Sequence, residues 1–515
     1  MSESPHATRR GEAARAALAG VVAGVAASGV GELVAGLAAP GASPFAAVGS
    51  FLIDIAPPWA KDATISLFGT GDKAALLTLV GIVAAIVAAA AGVLELRWRG
   101  VGQALFGLAG LAGIAAAMTR ADAATLSFLP SAVAGAVGVI ALRLLVARIP
   151  RGIPPLEGPL PTRRDFLVWS GATTVVGLAA LLGSVAVQAG SRAVTAVRRA
   201  ITLPTPVSTV AVPAGAELGL SGLSPVITPN ADFYRIDTAL VVPQVDPSTW
   251  QLRIHGLVDQ EVVITWDELL ALPLAESVAT LTCVSNEVGG DLIGNAVWLG
   301  YPIRELLARA KPQSSADMVL SMSVDGFTAS TPLETLTDPN REAILAVAMN
   351  GEPLPIEHGF PVRMVVPGLY GYVSATKWVT DLEVTRFADA TAYWTDRGWS
   401  DHGPVKLESR IDVPRAGAQV TAGETVIAGV AWQQHVGVKG VEVQVDDGPW
   451  TPATLASAIS ADTWVQWSVP WAAASGSHTV RCRATSATGE VQTVTEAPPA
   501  PDGATGWHTI QVQVA

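Results

Sequence analysis

Five long apolar stretches constrain the fold of this chain more than any other feature. They lie at about 14–39, 74–95, 101–119, 124–147 and 166–189. Each approaches the roughly 20 apolar residues that a helix needs to cross a bilayer, where every backbone polar group must be satisfied within the helix. The sequence therefore predicts an all-α transmembrane bundle of about five spans over residues 1–190. A shorter apolar run at 44–56 is expected to be a loop or an interfacial segment.

The arginines between these stretches predict how the bundle is oriented. Cytoplasmic loops are enriched in Lys and Arg. The N-terminus is therefore expected in the cytoplasm, and everything after residue 190 outside it, in a multi-pass protein of the cell membrane. The segment 162–167 reads TRRDFL and resembles a twin-arginine export signal. A positively charged flank of the fifth stretch, with no signal function, is an equally good interpretation. The arginines on the cytoplasmic side are Arg9, Arg10, Arg15, Arg97, Arg99, Arg148, Arg151, Arg163 and Arg164.

Polar residues inside the apolar stretches are few. Glu32 lies in the first stretch and is consistent with a proton or quinone site, or with a carboxylate paired at a helix end. No histidine occurs between His6 and His255, so this half cannot bind a haem through paired histidines. A transporter with an accessory outer domain is an alternative, but one acidic residue is little provision for an ion pathway.

The rest of the chain has a different composition. Residues 201–515 carry 16 Lys and Arg against 34 Asp and Glu, and the whole chain has a net charge of −12. Nucleic-acid binding is excluded because it normally requires a basic surface. Prolines and glycines over 191–228 predict a linker. Mixed short strands and helices over 229–404 predict an α+β domain. Alternating apolar and polar residues over 405–515 predict an immunoglobulin-like β-sandwich.

The two cysteines exclude a disulfide scaffold and a multi-cysteine metal site. Cys283 follows an apolar strand at 278–282 and precedes a glycine-containing loop at 288–291. A thiolate in that position suits a soft metal or a nucleophile, whereas composition alone favours a buried, inert thiol. Other segments of the chain favour the metal-binding interpretation over the inert thiol.

Several separated segments share one resemblance. They read TPNADFYRID at 228–237, TCVSNEVGG at 282–290, NGEPLP at 350–355, HGFPVR at 358–363, VPGLYG at 366–371 and TKW at 376–378. In this order they resemble the molybdopterin-dependent oxidoreductases of the sulfite oxidase family, from residue 228 to about 405. The β-sandwich then resembles the dimerisation domain of that family, which implies a homodimer.

The resemblance implies a molybdenum–molybdopterin cofactor with one pterin dithiolene. Cys283 would be the thiolate ligand of the metal, and Arg235 would orient an oxyanion or S-oxide substrate as the second catalytic residue. His358 and Arg363 would hold the phosphate and the pterin ring of the cofactor, and Asp325 would contact the pterin. The remaining residues implied to bind the cofactor are Asn230, Phe233, Tyr234, Arg235, Ala375, Thr376 and Lys377.

Two departures from the family pattern bear on the substrate. Val288 stands where sulfite oxidases of animals and plants carry a second basic residue, and Trp399 stands in place of the active-site tyrosine. Losing one charge-assisted contact costs about 1.5–3 kcal/mol, which disfavours sulfite. The expected function is membrane-anchored two-electron oxygen-atom transfer on a small S- or N-oxo substrate, with a separate electron-transfer partner. A true sulfite oxidase and a non-catalytic scaffold that keeps the family fold are the alternatives.

Overall fold

The computed structural model describes residues 5–56, 64, 67, 72–120, 123–149, 162–187 and 190–515. It divides into two compact units. The first comprises Met1–Val194 and Ala239–Val242, and the second Thr195–Thr238 and Pro243–Ala515. The helices of the first unit are α1 (Pro5–Ala38), α2 (Pro44–Ile55), α3 (Asp72–Arg97), α4 (Val101–Met118), α5 (Leu129–Val146) and α6 (Arg163–Val187).

The five apolar stretches are helical, as the sequence predicted. α1, α3, α4, α5 and α6 are each long and apolar enough to cross a membrane. Large side chains on them, such as Ile86 and Leu182, are 63% and 70% exposed, as expected of surfaces that face lipid. The end of the predicted stretch at 166–189 and Arg151 in the preceding loop lie outside the described residues.

The run at 44–56 is a helix, α2, where a loop was one expectation. Ser43 caps its N-terminus by accepting a hydrogen bond from the Ala46 amide at 3.3 Å. The Ser43 hydroxyl also donates to Glu32 Oε1 at 2.7 Å, so this buried carboxylate is paired at the start of α2.

Glycines allow α1 to pack closely against its neighbours. A Cβ added at Gly20 would lie 1.9 Å from the Ala88 carbonyl oxygen in α3. One added at Gly29 would lie 2.0 Å from the Gly177 carbonyl oxygen in α6. Small residues at helix crossings let backbones approach, which is how apolar helices associate when burial from water contributes little.

The first part of the second unit contains one mixed sheet, one antiparallel sheet and three short helices. One sheet has the strand order β2-β1-β10-β5-β6, in which β1 and β10 are parallel and the other pairs antiparallel. The other has the order β3-β4-β7-β8, with β9 also paired to β7. Both sheets share one core, which includes Leu252, Ile254, Leu306, Leu345 and Val347. The elements are β1 (Gln251–Gly256), β2 (Val262–Thr265), α8 (Trp266–Leu270), β3 (Ala275–Thr282), β4 (Ile293–Pro302), α9 (Ile303–Ala310), β5 (Met318–Ser323), β6 (Thr328–Pro332), α10 (Leu333–Thr337), β7 (Ile344–Met349), β8 (Glu352–Pro353), β9 (Arg363–Val365) and β10 (Val379–Thr385).

The C-terminal part consists of two further sheets around a second core. Their strand orders are β11-β13-β17-β16 and β12-β19-β18-β14-β15. Trp467 from one sheet and Val480 from the other belong to the same buried cluster, so the sheets pack face to face. The immunoglobulin-like topology stays a prediction. The strands are β11 (Glu408–Val413), β12 (Gln419–Val420), β13 (Gly423–Trp432), β14 (Val438–Val445), β15 (Thr451–Pro452), β16 (Thr454–Leu455), β17 (Val465–Ala473), β18 (Gly476–Ser486) and β19 (Thr509–Val514).

Residues 191–228 differ from the linker that their composition predicted. They begin within a helix, α7 (Gly190–Ala200), and continue as irregular chain. The Val207 amide donates to the Leu274 carbonyl at 2.8 Å, and the Leu218 amide to Gln466 Oε1 at 2.7 Å. Proline and glycine prevent regular structure here, but the backbone groups still find partners on the folded parts of the second unit.

Candidate active site

A cleft in the second unit brings together side chains from six separate segments. It holds about 900 Å³ of space, counted to its open mouth. The segments that form it are 233–238, 283–285, 323–327, 358–363, 371–378 and 394–399.

Cys283 lies on the wall of the cleft directly after β3. It is 8% exposed, and its amide donates to the Leu292 carbonyl at 2.9 Å, which fixes the loop that follows. Burial raises the pKa of the thiol, while hydrogen bonds from Ser285 and the charge of Lys377 oppose that rise. A soft metal that binds this sulfur would deprotonate it.

Two buried cations share the wall with Cys283. The Arg363 guanidinium donates to the Met364 and His358 carbonyls, each at 3.3 Å, and forms no salt bridge among the described residues. Burial lowers its pKa to about 10. The Lys377 ammonium lies 2.8 Å from Asp237 Oδ2, and burial lowers its pKa to about 8. A buried guanidinium that lacks a carboxylate is well suited to an anionic ligand such as a phosphate.

His358 is held uncharged between these cations. Burial, together with the charges of Arg363 and Lys377, lowers its pKa to about 3, and its ring donates to the Asn230 backbone carbonyl. Gly359 follows with φ of +110°, and a Cβ there would lie 3.0 Å from the Cβ of Arg363 and 3.1 Å from that of Lys377. Glycine at this position therefore lets the three side chains converge.

The structure brings together eight of the residues that the resemblance implied. They come from distant parts of the sequence and meet because the mixed and the antiparallel sheet share one core. Their individual roles stay predictions. The eight residues that line the cleft are Phe233, Tyr234, Cys283, Asp325, His358, Arg363, Ala375 and Lys377.

The other three implied residues do not line the cleft. The Asn230 side chain donates to Glu352 Oε1 at 2.8 Å, so only its backbone reaches His358. Arg235, proposed from the resemblance to orient substrate, is 39% exposed and forms a salt bridge with Asp237 at 2.9 Å. Thr376 is fully buried and its Oγ1 lies 2.7 Å from Ser321 Oγ. Its neighbours Ala375 and Lys377 line the cleft.

Several residues that line the cleft were not identified as site residues from the sequence. Asp237 ends the 228–237 segment, yet its contact with Lys377 could not be foreseen from their separation. Trp399 was noted only as a departure from the family pattern. Phe327, Tyr372 and Trp394 also line the cleft, and their sequence context gives no signal that separates them from core aromatic residues.

The donor set fits a molybdenum–molybdopterin cofactor. Cys283 offers one soft sulfur, and no group of three or more His, Cys, Asp or Glu in the described part of the chain could hold a metal alone. A metal at Cys283 would take further ligands from a bound group, as a pterin dithiolene provides. Arg363 and Lys377 offer buried positive charge for the phosphate of that group.

Comparisons with known proteins indicate the same cofactor. The pattern described as "Oxidoreductase molybdopterin binding domain" matches residues 239–394. The chain is 32% identical over 271 residues to mitochondrial sulfite oxidase of Mus musculus, a match that covers 44% of this chain and 49% of that protein. The chain thus spans about half the length of the sulfite oxidases that it matches.

Two further similarities extend the comparison. The chain is 32% identical over 158 residues to the uncharacterized oxidoreductase YuiH of Bacillus subtilis (strain 168), covering 31% of this chain and 76% of that protein. The fold is similar to the crystal structure of sulfane dehydrogenase SoxCD from Paracoccus pantotrophus, with a TM-score of 0.50 and 24% identity over 57% of this chain and 82% of that one. By these matches and by the residues of its cleft, the chain belongs to the sulfite oxidase family of molybdopterin-dependent oxidoreductases.

Proposed function

We propose that this protein is a membrane-anchored molybdenum-dependent oxidoreductase that catalyses two-electron oxygen-atom transfer on a small S- or N-oxo substrate. One observation carries the proposal. The Cys283 thiol lines the same cleft as the buried cations Arg363 and Lys377. A redox site of this family needs a soft ligand for the metal and positive charge for the cofactor phosphate, and the cleft offers both.

Each wall residue has a role in this proposal. The cofactor supplies the electron transfer and the oxygen-atom exchange when bound. Cys283 binds the metal as a thiolate, with Ser285 donating hydrogen bonds to its sulfur. Arg363 and Lys377 hold the cofactor phosphate. His358 stays neutral near pH 7 because its pKa is about 3, so it contributes hydrogen bonds rather than charge.

The location and partners belong to the same proposal. The five apolar helices anchor the protein in the cell membrane, and the arginines between them favour a catalytic unit outside the cytoplasm. A separate electron-transfer partner supplies or removes two electrons per turnover. A homodimer formed through the C-terminal sheets follows from the family resemblance alone.

The decisive experiment replaces the metal ligand. Mutation of groups that support a metal ligand costs 10–100-fold in affinity or activity. Cys283→Ser should therefore lower molybdenum content and turnover of S-oxides by about 100-fold or more. Cys482→Ser is the matched control, because Cys482 is equally buried but lies in the C-terminal core beside Ser409. Metal analysis and assays with a reduced dye as electron donor measure both quantities.

The same measurements separate the alternatives. Full molybdenum and unchanged turnover in Cys283→Ser would reject the proposed ligand. Wild-type protein with neither molybdenum nor pterin would indicate a scaffold that keeps only the family fold. Preferential oxidation of sulfite over reduction of S-oxides would indicate a true sulfite oxidase.

A further inference from the structure

Four aromatic side chains form one wall of the cleft. Phe327, Tyr372, Trp394 and Trp399 all line it, and we call them the aromatic wall. The ring centroids of Trp394 and Trp399 are 6.0 Å apart, and those of Tyr372 and Trp399 are 5.9 Å apart. Phe327 joins them through Tyr393, at 5.8 Å from Phe327 and 5.2 Å from Trp394. The rings therefore form a continuous apolar surface.

Hydrogen bonds hold the aromatic wall in place. The Tyr372 hydroxyl donates to the Ser400 carbonyl at 2.8 Å, and the Trp399 amide donates to the Trp394 carbonyl at 3.1 Å. The guanidinium of Arg397 lies 3.5 Å from the Tyr393 ring centroid and donates to the Tyr393 carbonyl at 2.6 Å. A surface fixed in this way binds an apolar group with little loss of conformational entropy.

The charges that line the cleft disfavour a second anion. Its lining cations are Arg363 and Lys377, and its lining carboxylates are Asp237 and Asp325. Lys377 is already paired with Asp237, and the cofactor phosphate would occupy Arg363. Arg235 does not line the cleft and is paired with Asp237 at 2.9 Å. A dianion would therefore next meet Asp325 and the negative faces of the aromatic rings. A neutral substrate meets no such repulsion.

From this geometry we infer that the substrate of the proposed reaction is uncharged, as an organic S-oxide is, and that its apolar substituent stacks on Trp394 and Trp399. This inference rests on the proposed function and narrows its substrate. In the reductive direction, the sulfoxide takes up two electrons from an external carrier and two protons from solvent. Its S–O bond breaks, and a thioether and water leave. In the oxidative direction the same balance runs backwards, and the carrier accepts the electrons.

The test compares an aromatic with a small sulfoxide. Wild-type holoenzyme is titrated with methyl phenyl sulfoxide and dimethyl sulfoxide, with tryptophan fluorescence reporting binding and a reduced viologen dye driving turnover. Losing a stacking contact worth about 1.4 kcal/mol is a tenfold change. Trp399→Ala should therefore raise Kd and KM for methyl phenyl sulfoxide about tenfold, with a smaller effect on dimethyl sulfoxide. Trp399→Phe should recover most of the affinity.

The controls separate folding, function and specificity. Trp450 makes an edge-to-face contact with Trp507 outside the cleft, with ring centroids 5.0 Å apart, so Trp450→Phe should change neither Kd nor KM. Molybdenum content equal to wild type shows that Trp399→Ala is folded and loaded. Unchanged Kd for methyl phenyl sulfoxide in that variant, or sulfite as the better substrate, overturns the inference. Sulfoxide binding that weakens in Trp399→Ala, without turnover of any substrate by loaded wild type, supports the inference and rejects the proposed function.

Discussion

Lys377 shows how one buried charge can couple cofactor binding to pH. Its ammonium lies 2.8 Å from Asp237 Oδ2 and is 10% exposed. Burial lowers its pKa to about 8, while Asp237 opposes that shift and the charges of Arg363 and Arg235 add to it. The group is therefore charged near pH 7 and loses its proton within an accessible pH range.

The expected consequence is a loss of cofactor as pH rises. An anionic phosphate favours the charged form of Lys377, so affinity is full below pH 8 and falls above it. We expect cofactor release to be about tenfold greater at pH 9.5 than at pH 7. Fluorescence of the released pterin after dialysis measures this.

The folding stability of the cofactor-free protein changes with pH in the opposite direction to the cofactor affinity. The unfolded chain holds a proton on Lys377 up to about pH 10.4, whereas the folded chain loses it near 8. The contribution of Lys377 therefore stabilises the cofactor-free protein as pH rises between those values. Lys377→Gln should release cofactor more readily at pH 7 and show little pH dependence, whereas Lys439→Gln, on the exposed surface, should behave as wild type. A steep pH dependence that persists in Lys377→Gln would assign the titration to another group.

At the scale of elements, the turn that ends at Gly359 determines whether His358, Arg363 and Lys377 can approach one another. The 3₁₀ turn Ile356–His358 leads into β9, and Gly359 takes the positive φ that ends the turn. Strained backbone of this kind typically costs about 1–3 kcal/mol in a residue with a side chain. Here a methyl group would also crowd the Cβ atoms of two cofactor-binding candidates.

Gly359→Ala should therefore lower both stability and molybdenum content. We expect a loss of about 1–3 kcal/mol in the free energy of unfolding, and weaker cofactor retention because Arg363 is displaced. Gly417 is the matched control, since its φ is +72° and nothing lies within 4 Å of an added Cβ. Gly417→Ala should have a comparable backbone cost with normal molybdenum content. Equal molybdenum loss in both variants would show that crowding at Gly359 has no particular effect. Denaturant titration and metal analysis provide the two measurements.

At the scale of the whole molecule, the arginines between the helices predict opposite accessibility for two surface positions. Trp98, between α3 and α4, is 58% exposed and belongs to a loop expected in the cytoplasm. Asp447, between β14 and β15, has a fully exposed side chain in the unit expected outside. Both native cysteines are buried, so background labelling should be low.

A membrane-impermeant maleimide should label Asp447→Cys in intact cells and Trp98→Cys only after permeabilisation. We expect this result because positively charged flanks resist translocation, which would keep the arginine-rich loops in the cytoplasm. Wild-type protein serves as the control for reactivity of Cys283 and Cys482. Labelling of Trp98→Cys in intact cells would reverse the proposed orientation.

The sequence by itself determined the features that depend on neighbouring residues. An apolar stretch of about 20 residues is long enough to cross a bilayer as a helix, and each of the five stretches contains such a helix. The alternation of residues over 405–515 likewise specified strands, because side chains on a strand face opposite sides in turn. Cys283 and the ordered segments around it indicated the family, because the residues of each segment are adjacent in the sequence.

Only the tertiary structure decided which side chains share the cleft. Lys377 reaches Asp237, 140 residues away, because sheet pairings such as β1 with β10 bring distant segments together. Thr376 is buried away from the cleft and Arg235 is exposed. The sequence motifs do not specify the direction in which either side chain points. The aromatic wall also depends on packing among segments far apart in sequence. Burial and mutual orientation arise from long-range contacts, so neither could be derived from the spacing of residues.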